Sequence, residues 1–241
     1  MSTYFQVNND MDSVIINDEF KNLRLIGCYK NLSVIQNSSY TFTNVPVNGP
    51  VIFNKGGYYL IVPGNPKDIV VAMSGEGGIQ VSDVYSSMRY NRWVWKLDGG
   101  NLNSLEVYVF AFTDQLPKDN VGLAVYNANG EEVFNSSYNY MDVVDFIGDD
   151  QFPHTVNDGW SSKSYAQKVA FFPFNLFKLY IPSGNTSGNI LYNWNLLRLD
   201  SYNSVTMGFR RISSAPGNYR PWAYDHKYLY SNVIVIDVSH V

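Results

Sequence analysis

The sequence predicts an all-β protein made of two tandem antiparallel β-sandwich domains of the jelly-roll or Ig-like kind. Three observations lead to this prediction. Short runs of strand-forming residues recur along the chain, turn-forming clusters separate them, and one strand–turn–strand pattern occurs twice at a fixed distance. No segment shows a sustained helical period of apolar residues, so we expect the core to be built from strands.

The strand-forming runs are rich in aromatic and β-branched residues. Of the 241 residues, 45% are hydrophobic, and 19 Tyr and 14 Phe account for most of the 16% aromatic fraction. Such side chains suit a pleated, half-buried surface. The runs include SVII, LRLI, YYLIV, DIVVAM, RWVWKL, LEVYVFAF, KVAFF, FKLYI and YSNVIVIDV. The composition therefore favours strands and supplies enough apolar surface for a core.

The segments between these runs carry residues that form tight turns. They include NKGG at 54–57, PGNP at 63–66, LDGG at 97–100, NANG at 127–130 and PSGNTSGN at 182–189. Gly and Asn accept a positive φ, and Pro fixes the backbone for a turn. Strands separated by such frequent turns are typical of antiparallel sandwiches and barrels.

A repeat relates the two parts of the chain. The segment YFQVNNDMDSVIINDEFKNLRLI, from residue 4, aligns without a gap with GLAVYNANGEEVFNSSYNYMDVV, from residue 122. Val7 then matches Val125, and Asn17 matches Asn135, each 118 residues further on. A polar turn falls in nearly the same place in both copies, between two apolar runs. Each copy therefore predicts a hairpin with an Asn-rich turn.

A second, fainter similarity extends the repeat. The segment YYLIVPGN, which ends at Asn65, matches FKLYIPSGN, which ends at Asn185, with Pro63 over Pro182 at an offset of 119. We interpret the two matches as a duplication. The predicted domains are residues 1–118 and 119–241.

The second hairpin resembles the opening of a group of tailed-bacteriophage tail proteins. Those proteins begin with a hydrophobic strand, a turn of Asn or Asp with Gly, a second strand ending in Phe with Asp or Asn, and a third with an apolar triplet. Here these elements are residues 123–126, 127–130, 133–135 and 141–144. The first copy differs, because its turn at 8–12 has no Gly. The resemblance implies a structural protein of the virion tail and implies no catalytic residues.

Charge and composition exclude several classes of partner. A formal net charge of −4 and a pI near 5.3 provide no basic surface, so we expect no binding of nucleic acid. No run approaches the roughly 18 to 20 apolar residues of a membrane span, so we expect no membrane insertion. The N-terminal residues lack a signal-peptide pattern. We expect synthesis in the bacterial host cytoplasm and a place in the virion. The single cysteine, Cys28, is expected to be a buried apolar residue.

No residue pattern indicates an enzyme, a metal site or a cofactor. The three histidines, His154, His226 and His240, lack metal-ligand spacing. His154, Asp158 and Ser161 are close in sequence, but a catalytic triad is defined by its geometry and not by such proximity. The glycine-rich segment SGEGG at 74–78 lacks the following Lys and helix of a phosphate-binding loop.

Four aspartates form the densest acidic cluster: Asp142, Asp145, Asp149 and Asp150. Paired carboxylates would suit glycoside hydrolysis or calcium binding. Their spacing fits no calcium-loop signature, so the expected interpretation is a solvated strand end and turn.

The tryptophans are the strongest candidates for binding. Trp93 and Trp95 are two residues apart and should face the same side of a strand. If exposed, they would form a platform for sugar rings or a protein hot spot; if buried, they would be core. Trp160 and Trp222 lie in polar segments with Gly and Pro, a composition typical of adaptable binding surfaces.

Residues 149–164, DDQFPHTVNDGWSSKS, are predicted to form an exposed insertion used for contact. Its polar residues do not suit a sheet interior, while Phe152 and Trp160 are costly to leave in water without a purpose. The corresponding segment of the first half, CYKNLSVIQNSS from Cys28, has no Trp. This asymmetry indicates that the second half faces a partner.

The leading hypothesis is a non-enzymatic phage or prophage virion structural protein of the tail. It would act in assembly with itself or with other tail proteins, and in contact with a host-surface glycan or protein. The alternatives are a carbohydrate-binding β-sandwich module, a phage-encoded inhibitor of a host protein, and a hydrolase in which two of the aspartates, or His154 with an acid, converge in a cleft.

Overall fold

The computed structural model describes residues 6–8, 14–17, 23–112, 123–152, 159–176, 178–182, 189–216 and 231–241. The described residues form strands and two short 3-10 helices, Leu102–Ser104 and Asp149–Gln151. The prediction of an all-β protein is confirmed. The strands are β1 Gln6–Asn8, β2 Val14–Asn17, β3 Arg24–Tyr29, β4 Val34–Ile35, β5 Val51–Asn54, β6 Tyr58–Pro63, β7 Ile69–Ser74, β8 Ile79–Ser87, β9 Arg92–Asp98, β10 Glu106–Ala111, β11 Ala124–Tyr126, β12 Glu132–Asn135, β13 Asp142–Ile147, β14 Ser161–Ser164, β15 Val169–Asn175, β16 Lys178–Pro182, β17 Asn189–Ser201, β18 Ser204–Pro216 and β19 Asn232–Asp237.

Most of these strands belong to two large sheets. The first has six strands in the order β13-β19-β15-β7-β10-β3. The second has nine, in the order β14-β18-β17-β8-β9-β6-β5-β4, with β16 also paired to β17. The pairings are antiparallel except between β4 and β5. None of the described segments is a helix long and apolar enough to cross a membrane.

In both sheets, the strands of the first half are arranged as a mirror image of the strands of the second half. In the first half, β3, β7 and β10 belong to the six-stranded sheet, and β6, β8 and β9 belong to the nine-stranded sheet. In the second half, β13, β15 and β19 belong to the six-stranded sheet, and β14, β17 and β18 belong to the nine-stranded sheet, so the chain alternates between the sheets in the same order. The two sets also have matching neighbours: β3-β10-β7 mirrors β13-β19-β15, and β6-β9-β8 mirrors β14-β18-β17. A duplicated chain would produce this arrangement.

The two predicted hairpins also pair in the same register. Val7 lies opposite Ile16 in β1–β2, and Val125 lies opposite Phe134 in β11–β12. Both ladders shift immediately after the valine. In the second hairpin Gly130 has a φ of +78°, as the Asn–Gly turn requires. The strand after each hairpin keeps the same offset, because β13 begins and ends 118 residues after β3.

One strand set lies before residue 118 and the other after it, and each large sheet contains strands of both sets. They join where β7 pairs with β15, at Met73 and Phe171, and where β8 pairs with β17, from Ile79 to Val81. A third contact is the bridge between Arg24 and Tyr140. The two halves therefore share both sheets, and the number of independently folding domains stays a prediction.

One large buried cluster fills the space between the two sheets across both halves. It includes Trp95 and Leu97 from β9, and Phe171 from β15, all at most 1% exposed. The indole N–H of Trp95 donates a hydrogen bond to the carbonyl of Pro173 over 3.1 Å, which satisfies a buried donor and ties the nine-stranded sheet to the six-stranded one.

A buried ion pair joins the first half to the second hairpin. Arg24 in β3 and Glu132 in β12 have side chains 2% and 3% exposed, with 3.1 Å between Nη2 and Oε1. The guanidinium carbon of Arg24 lies 4.5 Å from the centre of the Tyr138 ring. The cation is therefore compensated by a carboxylate and by an aromatic face.

A second ionic cluster surrounds Glu106 where the halves meet. Its carboxylate lies 2.6 Å from Nζ of Lys168 and 3.4 Å from Nζ of Lys30, and it accepts a hydrogen bond from the hydroxyl of Tyr108. Burial alone would raise the pKa of Glu106, but the hydrogen bonds from Lys168 and Tyr108 and the two lysine charges hold it below its ordinary value. Burial is also the main cause that raises the pKa of the neighbouring Cys28 thiol.

Candidate functional site

The nine-stranded sheet carries a row of polar side chains on the face directed away from the main buried cluster. Ser162 lies opposite Thr206, Thr206 opposite Arg198, Arg198 opposite Gln80, and Gln80 opposite Asp98. The flanking apolar residues of these strands belong to the main cluster, so the alternate positions point to the other face. We call this face the outer face and these five residues the polar row.

Trp160 lies at one end of this row, immediately before β14. Its side chain is 48% exposed. A Cβ atom added to Gly208 would lie 2.4 Å from two carbon atoms of the indole ring, so the ring rests directly on the backbone of β18. The guanidinium carbon of Arg198 lies 5.2 Å from the centre of the ring. Because Gly208 has no side chain, the indole can lie against β18 with its ring partly exposed beside the Arg198 cation.

Hydrogen bonds fix the polar groups next to the ring. The Nε–H of Arg198 donates to Oδ1 of Asp200 over 2.6 Å, and the hydroxyl of Thr206 donates to Oδ2 of the same carboxylate. The hydroxyls of Ser162 and Thr206 are 2.8 Å apart. Of the N–H groups of Arg198, only the Nε–H makes a hydrogen bond with another described residue. Its terminal amino groups therefore remain as donors beside Trp160.

The other end of the row combines a carboxylate and an amide. Asp98 accepts a hydrogen bond from the hydroxyl of Ser82, and its Oδ1 lies 3.5 Å from Nζ of Lys96. Gln80 is partly exposed, and its amide makes no hydrogen bond with another described residue. Gly77 and Gly78 lie just before β8, and their N–H groups donate hydrogen bonds to the carbonyls of Asp200 and Leu199, respectively. These bonds extend the pairing of β8 with β17, which joins the two halves.

In the first half, the outer face is covered over β5, β6 and the start of β9, whereas Gln80 and Asp98 stay partly exposed. Val45, Phe53, Ile61 and Val94 are at most 2% exposed and form a second buried cluster on that face. Phe42 packs against it, with its ring centre 5.6 Å from that of Phe53. The segment between β3 and β6 supplies this cover. The exposed aromatic surface described above therefore belongs to the second half, as the asymmetry in Trp content indicates.

The Trp93 and Trp95 pair adopts the buried alternative. The two rings stack with centres 5.5 Å apart and are 9% and 0% exposed. They share one side of β9, as their spacing predicts, and that side faces the main cluster. Their inclusion as binding candidates is therefore corrected: they cannot act as a stacking platform, because Phe172 and Pro173 from the facing sheet cover them.

Of the two aromatic residues predicted to be exposed in 149–164, Trp160 is exposed and Phe152 is buried, while the contact role of the segment stays a prediction. Phe152 is 3% exposed and belongs to the main cluster, because burial of an aromatic ring outweighs the polarity of its neighbours. Ser161–Ser164 form the edge strand β14, and an edge strand tolerates polar residues because one of its sides faces solvent. Residues 153–158 of this segment lie outside the described residues.

Among the described residues, the remaining sequence candidates do not form a site. Asp149 begins a 3-10 helix, and Asp150 is exposed beside it. Trp222, His154, Asp158 and His226 lie outside the described residues. The described residues contain no group of three or more His, Cys, Asp or Glu side chains placed to hold a metal ion.

Asp145, from the acidic cluster, is part of a structural ion pair. Its Oδ2 lies 2.6 Å from Nζ of Lys163 and accepts a hydrogen bond from the Tyr165 hydroxyl over 2.7 Å. Burial would raise the pKa of Asp145, but these hydrogen bonds hold it below its ordinary value. The carboxylate is thus held as an anion by its partners, which does not suit a general acid.

Comparison with protein-family models, with curated proteins and with solved structures finds no match to this chain. The geometry of the outer face is therefore what indicates a function. That face offers an exposed indole, guanidinium donors, carboxylate acceptors and the hydroxyl of Ser162 within one short stretch of sheet. This combination can bind a neutral, hydroxyl-rich ligand that has an apolar face.

Sequence reasoning missed Arg198, Asp200 and Thr206. Arg198 and Asp200 alternate with Leu197 and Leu199 in β17, a pattern that indicates one polar and one apolar face. The alternation was a usable signal. What it could not show is that Trp160, about 40 residues earlier, lies on the same face.

Proposed function

We propose that this protein is a non-enzymatic structural protein of a bacteriophage or prophage tail, and that its second half binds a saccharide of the host surface through Trp160 and the adjoining polar row. The observation that carries the proposal is the position of Trp160. Its ring lies on the Gly208 backbone, about half exposed, next to the Arg198–Asp200 pair.

This arrangement suits the chemistry of a sugar. A pyranose ring presents C–H groups on its faces and hydroxyls around its edge. The exposed indole would stack on a C–H face, while guanidinium N–H groups and carboxylate oxygens would exchange hydrogen bonds with the hydroxyls. Arg198 and Asp200 already hold each other in place, so little side-chain entropy would be lost on binding.

The assignment to a phage tail rests on the hairpin resemblance. The hairpin occurs twice in the same register, and the second copy has the hydrophobic strand, Asn–Gly turn and Phe–Asn ending of the tail proteins it resembles. A tail protein that touches the host needs an exposed recognition surface on a stable scaffold. The outer face provides such a surface on a hydrogen-bonded sheet.

A specific observation also favours the assembly role. Strand β13 is an edge of the six-stranded sheet, and Val143, Val144 and Phe146 on it are 49%, 37% and 51% exposed. Exposed apolar residues on an edge strand favour pairing with another chain. Assembly with other tail subunits through β13 would leave the outer face of the nine-stranded sheet accessible.

The saccharide proposal is tested with the Trp160→Ala variant. The probe is an array of immobilised bacterial lipopolysaccharide, capsular polysaccharide and peptidoglycan fragments. We expect the intact protein to bind at least one of them, and Trp160→Ala to weaken that binding by about 2 kcal/mol or more, or about thirtyfold, as for an interface anchor. The melting temperature should change little, because the indole is half exposed.

Tyr90→Ala is the matched control. Tyr90 is also an exposed aromatic beside an arginine, with Arg89 5.5 Å from its ring centre, but it lies in the β8–β9 turn away from the polar row. Its loss should leave binding unchanged. Absence of binding to every saccharide would refute the proposal, and so would equal losses for the two variants.

A further inference from the structure

The polar row does not end with the second half but continues across the joint between the halves. Ser162, Thr206 and Arg198 come from β14, β18 and β17, whereas Gln80 and Asp98 come from β8 and β9. Neighbouring strands are about 4.8 Å apart, so five strands span about 19 Å. The row is thus much longer than the footprint of the Trp160 ring.

Three positions along this length offer a hydrogen-bonding group to a ligand. The hydroxyl of Thr206 does not, because it is 3% exposed and donates to Asp200. The terminal guanidinium groups of Arg198 are donors, the amide of Gln80 is both a donor and an acceptor, and the carboxylate of Asp98 is an acceptor. Gln80 makes no hydrogen bond with other described residues although it stands between the two charged pairs. Its amide is therefore free to serve a ligand.

The charges along the row are balanced. Arg198 is paired with Asp200, and Lys96 lies 3.5 Å from Asp98. Each cation thus has its own carboxylate, and the row presents no excess of positive charge to an acidic polymer. The complementary ligand is a neutral chain with repeated hydroxyl groups.

Resting on the proposed function, we infer that the site takes a neutral oligosaccharide laid across the strands of both halves, and not a single terminal sugar. One sugar stacks on Trp160. The following sugars contact Arg198, then Gln80, and finally Asp98, so affinity rises with chain length until the row is filled.

The test is a length series measured by isothermal titration calorimetry. The probes are fragments, from one sugar residue upward, cut from the neutral polysaccharide that binds best on the array. We expect affinity to increase with length in the intact protein. The double variant Gln80→Ala/Asp98→Asn should bind the longest fragment about tenfold more weakly, equivalent to one or two hydrogen bonds, and the shortest fragment as well as before.

Gln167→Ala/Asp68→Asn is the control, because it makes the same two changes at positions outside the polar row. Equal affinity for all lengths, or unchanged binding of the longest fragment by the double variant, overturns the oligosaccharide inference while the Trp160 site still stands. Stronger binding of acidic than of neutral fragments also overturns it. If no fragment binds, the proposed function fails together with the inference.

Discussion

The buried ion pair between Arg24 and Glu132 provides a sharp test of how the two halves are held together. Both side chains are almost fully buried, and 3.1 Å separates Nη2 from Oε1. The Arg24→Met variant removes the cation but keeps an apolar side chain of similar length. Glu132 would then be a buried carboxylate without its main counter-charge, which costs about 3 to 5 kcal/mol. For a chain of this size, that loss lowers the melting temperature by about 6 to 20 °C.

Thermal and urea unfolding of the single and double variants measures the coupling. In Arg24→Met/Glu132→Leu neither charge remains, so the double variant should regain most of the stability that either single variant loses. Lys30→Met is the control, because Lys30 is about half exposed and its ion pair with Glu106 should be worth at most about 1 kcal/mol. Small, additive losses for the two single changes would show that the pair does not stabilise the hairpin contact.

Two further predictions concern Glu106 and strand β13. Because its partners lower the pKa of Glu106, its contribution to stability is present above the ordinary carboxyl pKa of about 4.3 and is lost as the pH falls through the lower folded-state value. Glu106→Gln should therefore flatten the acid side of a plot of unfolding free energy against pH, and an unchanged slope would contradict this reasoning. Phe146→Lys should abolish any concentration-dependent self-association seen by analytical ultracentrifugation, whereas Phe112→Lys, at a similarly exposed site outside β13, should not. An intact protein that stays monomeric at all concentrations would exclude self-assembly through this edge.

Local features of the fold were predictable from the sequence because they depend on short-range chemistry. The second hairpin follows from an Asn–Gly turn between two apolar runs, and its partner follows from the offset of 118 residues. The joining of the sheets was not predictable, because the pairs that join them, β7 with β15 and β8 with β17, are between strands far apart in the sequence. Nothing in a run such as IVVAMS distinguishes a strand that ends a sheet from one that continues it.

The candidate site shows the same division between local and long-range information. Trp160 was predicted as a contact residue because a large aromatic lies in a polar Gly-containing segment, and it is exposed. Phe152 was assigned the same role for the same reason, yet it fills the core. Sequence polarity describes the neighbours along the chain, whereas burial is decided by the strands that pack from elsewhere.

Because the sheets are continuous across the two halves, the outer face is already formed before a ligand binds. Binding sites placed between two linked modules often require hinge closure, and the energy of ordering the modules is subtracted from the affinity. Here backbone hydrogen bonds between β8 and β17 carry the outer face across the boundary, so Arg198 and Gln80 are already neighbours before anything binds. Recognition would then proceed close to lock-and-key, with weak individual contacts adding up over a surface that needs no rearrangement.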